Sequence, residues 1–273
     1  MIYGPFLSRR LGYSLGIDLL PPIKTCTFNC VYCEIGKTPN LGFVSISHKE
    51  VVSKAEFNLL QSYITNNLPS MLYLNSITIG YNGEPTLVEN LKDVILFIRD
   101  IQSKIKTDIP ISIFSNSSTI CDENIRRTLL LLDNIYLKID AALQDIFIDI
   151  NRPHNSVKNI DMIIDCIKKF REEINNYQGN LVMEQIRKPK LIIQSLLFKS
   201  KNGKAAHNFT KENIIKLAEI YKRIKPDKIH LYTIARTPAE DYVIHLDLKE
   251  LIDIKNEMIN FAPELLNLID VFG

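Results

Sequence analysis

Short runs of apolar and β-branched residues alternate with longer amphipathic segments along most of the chain. The short runs are apolar at nearly every position, which is typical of parallel strands buried on both faces. The longer segments repeat their apolar residues with the spacing of a helix. We therefore predict strands at 16–20, 76–80, 111–115, 135–139, 191–197 and 228–234, and helices at 50–67, 88–104, 122–132, 157–174, 211–224 and 248–261.

These strand–helix units follow one another without a break, which predicts one α/β domain with right-handed crossovers. They are fewer than the eight units of a closed barrel. We therefore predict a partial (β/α)6 barrel of parallel strands with outer helices, with a doubly wound sheet as the alternative. The core, with a short N-terminal segment, is expected at 1–246, and a C-terminal helical tail packed on the same domain at 247–273. In both architectures the site lies at the C-terminal ends of the strands.

The composition of the 273 residues, 46% hydrophobic and 23% charged, excludes a disordered chain. The formal net charge of +2 gives no support to a protein that binds duplex DNA through bulk electrostatics. No segment approaches the roughly 18 apolar residues of a membrane helix, and the N-terminus lacks the pattern of a signal peptide. We therefore expect a cytoplasmic protein with no membrane partner.

Three of the five cysteines, Cys26, Cys30 and Cys33, lie close together after the first predicted strand. Thiolates at this spacing can converge on one metal centre. An ordinary [4Fe–4S] cluster takes four cysteines, so three leave one iron open to another molecule. The alternatives are a zinc site completed by His48, or inert buried thiols. Zinc sites favour paired short spacings, and the chain has no second short-spaced cysteine pair.

This CxxxCxxC spacing, with Tyr32 before the third cysteine, resembles the radical S-adenosylmethionine (SAM) superfamily. The likeness covers roughly residues 1 to 240. Further motifs resemble its wyosine-synthase-related subgroup, namely Tyr3-Gly4-Pro5, Ser8-Arg9-Arg10-Leu11-Gly12, Ser14-Leu15-Gly16, Gly83-Glu84-Pro85-Thr86-Leu87 and Asn151-Arg152-Pro153-His154.

The resemblance implies a radical SAM fold, with Cys26, Cys30 and Cys33 as catalytic residues that ligate a [4Fe–4S] cluster. SAM would chelate the open iron, and one electron would cleave it to methionine and a 5′-deoxyadenosyl radical. That radical would abstract hydrogen from a substrate, which could be a small molecule, an RNA or a protein. The electron would come from a reductant such as flavodoxin or ferredoxin. In such enzymes the cofactor does the chemistry, and the protein orients it and excludes water.

The resemblance also implies a SAM site at the ends of the strands. Asn82-Gly83-Glu84 resembles the superfamily's Gly-Gly-Glu motif, which holds the SAM amino group. Lys138 would pair with the SAM carboxylate, and Asp140 would accept from a ribose hydroxyl. From the residues alone, a helix-start turn at Glu84 and a charge pair of Lys138 with Asp140 are the alternatives. The expected cofactor-binding residues are Tyr32, Asn82, Gly83, Glu84, Ser115, Asn116, Lys138, Asp140 and Gln194.

Several arginines near the predicted site loops have no helix-face pattern, namely Arg9, Arg10, Arg152 and Arg236. They either lie on a solvated surface or bind a phosphate or carboxylate of the substrate. Cys121 and Cys166 are isolated in the sequence, so we expect no auxiliary cluster.

Two other functions remain open at this point. One is a radical SAM enzyme that modifies a tRNA base, as in wyosine formation. The near-neutral charge does not support it, and the sequence shows no RNA-binding module. The other is a non-catalytic iron–sulfur electron carrier or metal-binding protein. An electron carrier more often binds its cluster through cysteines alone.

Overall fold

The computed structural model describes residues 2–177, 187–201 and 206–273. Its strands are β1 (Ile2–Ser8), β2 (Gly12–Ile17), β3 (Ser76–Ile79), β4 (Ile111–Ser115), β5 (Asn134–Lys138), β6 (Lys190–Leu196), β7 (Lys199–Ser200), β8 (Lys228–Tyr232), β9 (Val243–Ile244) and β10 (Ile269–Phe272). Its α-helices are α1 (Lys54–Asn67), α2 (Leu91–Ile105), α3 (Glu123–Leu129), α4 (Gln144–Asn151), α5 (Ile160–Asn175), α6 (Lys211–Ile224) and α7 (Leu248–Phe261).

Eight of these strands form one curled sheet in the order β1-β2-β3-β4-β5-β6-β8-β10. Within this sheet, all strands except β1 run parallel to one another, and β1 is antiparallel to β2. Strands β7 and β9 pair separately. The Arg9 guanidinium donates to the Gly273 carbonyl at 2.8 Å, which links the chain after β1 to the chain after β10. The predicted partial α/β barrel is confirmed.

The helices cover the outside of the sheet because each has one apolar face. In α5, Ile160, Ile163, Ile164, Ile167 and Phe170 are buried at helical spacing. The strands are buried on both faces, as expected for parallel strands under helices. This packing fixes the strand ends, so the loops that follow them are positioned on a rigid base.

Several elements were not predicted from the sequence. Strand β1 has no apolar periodicity, because its residues alternate irregularly between half-buried and exposed. Helix α4 has only eight residues. The segment after residue 246 contains α7, as expected of a helical tail, but it also contributes β10 to the main sheet. The four residues of β10 are too few to give a pattern. The boundary after 246 stays a prediction.

None of the helices in the described ranges is both long enough and apolar enough to cross a membrane.

Candidate functional site

A cavity of about 820 Å³ opens among the strand ends, where the sequence places the site. Cys26, Cys30 and Cys33 all line it, and none of the three is in a disulfide. Because β2 ends at Ile17, the cysteine loop that follows lies at the C-terminal edge of the sheet. The loop therefore brings three free thiols to one wall of the cavity.

The cysteine loop is fastened to the end of the neighbouring strand β3 by backbone hydrogen bonds. The Thr25 N–H donates to the Asn82 carbonyl at 3.1 Å, and the Glu84 N–H donates to the Thr25 carbonyl at 3.0 Å. Gly83 lies between them with φ +140°, and a Cβ on this residue would overlap the Thr25 carbonyl oxygen. Glycine is therefore required here for the two segments to approach.

Each cysteine sulfur has its own side-chain N–H donor. The contacts are Lys24 Nζ to Cys33 Sγ at 3.2 Å, Asn116 Nδ2 to Cys26 Sγ at 3.4 Å, and Asn151 Nδ2 to Cys30 Sγ at 3.5 Å. Donors of this kind stabilise sulfur that carries negative charge. They are also among the features by which proteins tune iron–sulfur clusters.

The three thiols fit an iron–sulfur cluster in their chemistry, because cysteine thiolates are its usual ligands. Burial raises the pKa of Cys26 to about 12, and burial followed by Cys33 raises that of Cys30. A bound metal would favour the thiolate form of both. In the described ranges, no three His, Cys, Asp or Glu side chains converge as ligands of one ion.

His48, the expected fourth ligand of a zinc site, does not lie with the three cysteines on the cavity wall. Its Nε2 lies 2.7 Å from Glu50 Oε1, and it is not among the residues that line the cavity. The zinc alternative therefore loses its fourth ligand.

Tyr32, Asp140 and Lys138 form one hydrogen-bonded group on the cavity wall. The Tyr32 hydroxyl donates to Asp140 Oδ2, and Lys138 Nζ lies 3.2 Å from the same oxygen. Asn151 Nδ2 donates to the Tyr32 hydroxyl at 2.6 Å. Burial alone would lower the pKa of Lys138, but the Asp140 carboxylate raises it above its ordinary value. The charge pair that was an alternative for Lys138 and Asp140 is present. Their roles toward SAM stay predictions.

Glu84 is 1% exposed and does not line the cavity. Its Oε1 accepts from the Thr86 N–H at 3.1 Å and from the Thr86 hydroxyl at 2.6 Å, and its Oε2 accepts from the Asn116 N–H at 2.6 Å. Burial raises its pKa despite these bonds. The carboxylate thus fixes Asn116, whose amide donates to Cys26. A direct contact of Glu84 with SAM stays a prediction.

Some of the remaining predicted residues line the cavity and others do not. Ser115, Asn116 and Gln194 line the cavity, as does Gly83, whereas Asn82 does not. The Asn82 side-chain amide instead donates to the carbonyls of Pro21 and Pro22, at 2.7 and 2.9 Å. Asn82 therefore anchors the start of the cysteine loop.

The structure adds residues that sequence reasoning missed. Asp18 directly follows β2 and places a carboxylate on the cavity, where burial raises its pKa. The sequence placed Asp18 inside a strand predicted at 16–20, whereas β2 ends at Ile17, so its position at a strand end was hidden. Lys24 and Asn151 contact cluster cysteines from segments without a predicted element end. Tyr232, on β8, accepts from Lys138 Nζ at 3.0 Å.

The four arginines occupy different positions. Arg10 lines the cavity, and its guanidinium donates to Gln194 Oε1. Arg236 also lines it and pairs with Glu34 at 3.4 Å. Arg152 pairs with Glu240 at 2.5 Å outside this cavity. Arg9 also lines the cavity, and its guanidinium donates to the Gly273 carbonyl.

Cys121 and Cys166, expected as isolated residues, form a disulfide with a Cα–Cα distance of 5.1 Å. Cys121 precedes α3 and Cys166 lies in α5, so packing of these two helices brings them together across 45 residues of sequence. Their pairing could not be predicted from their separation in the sequence, because it depends on helix packing. Neither cysteine lines the cavity.

Comparisons with known proteins identify relatives of this chain and structures of similar fold. No family model matches the chain. The UPF0026 protein MJ1312 of Methanocaldococcus jannaschii is 35% identical over 88% of this chain and 65% of its own length. A UPF0026 protein of Helicobacter pylori is 33% identical over 86% of this chain and 67% of its own length. The chain thus spans about two thirds of the length of these relatives.

Two solved structures have a similar fold. Streptococcus suis SuiB bound to S-adenosylmethionine matches with a TM-score of 0.56 and 13% identity, over 94% of this chain and 50% of that one. TYW1 with a lysine–pyruvate adduct bound matches with a TM-score of 0.55 and 12% identity, over 90% of this chain and 73% of that one. At these identities the likeness establishes the shared fold.

Proposed function

We propose that this member of the UPF0026 family is a radical SAM enzyme with one [4Fe–4S] cluster. Bound at this site, the cluster would supply the electron that cleaves SAM to methionine and a 5′-deoxyadenosyl radical for hydrogen abstraction. The observation that carries this proposal is the wall of three free cysteines, each with its own N–H donor.

Cys26, Cys30 and Cys33 hold the cluster. Their loop is fastened to β3 through Thr25, so the ligands keep their positions when the cluster is bound. Lys24 and Asn116 place a cation and an amide N–H against two of the sulfurs, where negative charge accumulates on coordination. These groups stabilise the thiolate form that burial alone disfavours.

SAM occupies the part of the cavity next to these cysteines. Its ammonium group requires a carboxylate or carbonyl partner, and its carboxylate requires a cation. Glu84 and its neighbours are the predicted partners of the amino group, and Asp18 adds a carboxylate that faces the cavity directly. Lys138 is the predicted partner of the carboxylate. The Lys138–Asp140 pair leaves this wall without net charge, and Tyr32 covers it with a ring 4.5 Å from the Lys138 ammonium.

The electron donor we propose is a small reduced protein such as flavodoxin or ferredoxin. The substrate is a molecule that enters the remainder of the cavity.

The test is anaerobic reconstitution with iron and sulfide, reduction by dithionite and incubation with SAM. We expect 5′-deoxyadenosine and methionine in equal amounts, slowly even without substrate. Cys30→Ala should form neither product, because one iron would lose its ligand. The matched control is Cys166→Ala, which removes a disulfide-bonded cysteine that does not line the cavity and should leave product formation intact.

Two results would contradict the proposal. A protein that takes up iron and binds SAM but never forms 5′-deoxyadenosine, with or without cell extract, is not a radical SAM enzyme. A protein that takes up stoichiometric zinc and no iron has a different metal centre altogether.

A further inference from the structure

Arg10 enters the cavity from the turn between β1 and β2. Its guanidinium carbon lies 4.3 Å from the centre of the Tyr232 ring and 5.1 Å from that of Phe114. One guanidinium nitrogen donates to Gln194 Oε1. The aromatic rings hold the plane of the guanidinium group in place inside the barrel.

The other cations that line the cavity have their own anionic or polar partners. Lys138 pairs with Asp140 and Arg236 pairs with Glu34. Lys24 contacts the Gly36 carbonyl at 2.6 Å and Cys33. The exposed Arg9 donates to the Gly273 carbonyl at 2.8 Å.

Arg10 makes no ion pair with any Asp or Glu of the ranges 2–177, 187–201 and 206–273. A guanidinium has five N–H donors, and in these ranges the neutral Gln194 amide is its one side-chain acceptor. Its charge and most of its donors therefore remain available to a ligand.

The strand next to Gln194 carries a second incompletely bonded group. Gln194 on β6 is in register with Lys138 on β5 and with His230 on β8, so all three share one row of the sheet. His230 is 6% exposed, and its Nδ1 has no hydrogen-bond partner among the described residues. Buried polar atoms are seldom left without a partner. His230 is not among the residues that line the cavity, so the group that a ligand can reach here is Arg10.

We propose that Arg10 binds an anionic group of the substrate, a carboxylate or a phosphate, and thereby positions the substrate against SAM. This inference rests on the proposed function above. A planar fork of N–H donors matches either anion through two parallel hydrogen bonds. The rings of Phe114 and Tyr232 partly shield the site from water, which strengthens the attraction to an anion. A neutral or cationic substrate group would leave the Arg10 charge uncompensated.

The test measures binding of inorganic phosphate and of acetate to the reconstituted full chain by ³¹P relaxation and saturation-transfer NMR. We expect saturable binding of at least one anion to the wild type. Arg10→Gln should weaken it at least ~10-fold, and Arg10→Lys should restore part of it, because charge returns without the fork. The matched control is Arg127→Gln, which removes an arginine that is 71% exposed and paired with Glu123, and it should bind like the wild type.

The two anions separate the two sources. Phosphate binding alone indicates a phosphorylated substrate, and acetate binding alone indicates a carboxylic acid; either supports the proposal. Unchanged binding in Arg10→Gln, or no saturable binding of either anion to the wild type, overturns it. If SAM alone displaces the anion completely, Arg10 serves the SAM carboxylate and the assignment to substrate is wrong.

A measurement on the wild type covers the case in which Arg10→Gln does not fold. Phenylglyoxal modifies accessible arginines, and the modified peptides are quantified by mass spectrometry. Phosphate or acetate should slow modification of Arg10 at least ~5-fold relative to chloride at equal ionic strength, with no change at Arg127. Equal modification of Arg10 in all three salts overturns the proposal. Neither measurement uses a reductant, so its outcome is independent of whether SAM is cleaved.

Discussion

The cavity has two unlike sides. On the cysteine side, formed by Cys26, Cys30 and Cys33 with their N–H donors, polar groups are matched to partners. The Asp140 carboxylate, for example, accepts hydrogen bonds from the Tyr32 hydroxyl and, at 2.7 Å, from the Leu196 N–H, and it pairs with Lys138. On the arginine side, formed by Arg10, Gln194, Phe114 and Tyr232, a cation lacks an anion.

This difference suggests a division of tasks. A fully satisfied polar network is rigid and holds one geometry, which suits a cofactor that stays in place through every turnover. An unmatched charge costs free energy until a ligand arrives, which suits a substrate that enters and leaves. The four predictions below test the two sides and their surroundings, in order of decreasing effect.

Gly83→Ala should damage the cysteine side most. The new Cβ would overlap the Thr25 carbonyl at a backbone angle that other residues rarely adopt. Overpacking and backbone strain together should lower the free energy of unfolding by about 4 kcal/mol. Urea unfolding and iron content measure the effect. Gly36→Ala is the control in the same loop, with positive φ but open space around its Cβ. It should cost about 1 kcal/mol, and equal losses would contradict the account.

Removing the disulfide should affect stability without affecting the cysteine side. The disulfide closes a loop across 45 residues. Its loss should lower the free energy of unfolding by about 3 kcal/mol. We expect Cys121→Ala/Cys166→Ala to unfold at lower urea concentration and to keep the iron content of the wild type. A fall in iron content at temperatures where the variant is folded would show that the two regions are coupled.

His230, which is in register with Gln194 of the arginine side, should make the free energy of unfolding depend on pH. The pKa of His230 is lowered to about 4 by burial first and then by the charge of Arg10, with a smaller contribution from Lys228 and partial opposition from Asp270. The unfolded chain protonates near the ordinary value of about 6.5. The contribution of His230 to the free energy of unfolding is therefore fully present above pH 6.5. It is lost as the pH falls toward 4, by up to about 3 kcal/mol.

His230→Phe should remove this part of the pH dependence, while acid effects from carboxylates persist in both proteins. Unfolding measured at a series of pH values gives the difference directly. Identical slopes between pH 6.5 and 4 would mean that His230 is not held neutral in the folded state.

Lys138→Ala should give the smallest effect, on SAM affinity. If Lys138 binds the SAM carboxylate, affinity should fall at least ~10-fold, about 1.4 kcal/mol, with iron content unchanged. Equilibrium SAM binding to the reconstituted variant measures this. Lys104→Ala, which breaks an exposed ion pair with Asp100, is the control. Wild-type affinity in Lys138→Ala would assign that lysine to its ion pair with Asp140 alone.

The three cysteines of the cysteine side could be predicted from the sequence, but their donors Lys24 and Asn151 could not. Parallel strands gather their C-terminal ends at one edge, so Ser115, Asn116, Lys138 and Asp140 could be assigned to one site from strand positions alone. Contacts made by residues away from the strand ends could not be predicted from the sequence. Arg10 comes from the turn before β2, at the opposite end of that strand, and its long side chain reaches residues near the ends of β6 and β8.

Side-chain direction was a second limit. Glu84 has the expected position in the chain, yet its carboxylate points into the protein toward Thr86 and Asn116. A motif gives the place of a residue but not which groups compete for its oxygens. The pairing of Cys121 with Cys166 likewise depended on how α3 and α5 pack, which sequence spacing does not specify.

The most direct test of the central claim is the iron content of reconstituted cysteine variants. The account predicts about four irons per chain in the wild type and in Cys121→Ala, and none retained in Cys26→Ala, Cys30→Ala or Cys33→Ala. Iron content that survives replacement of any of the three cavity cysteines, or that is lost equally on replacement of Cys121, would contradict it.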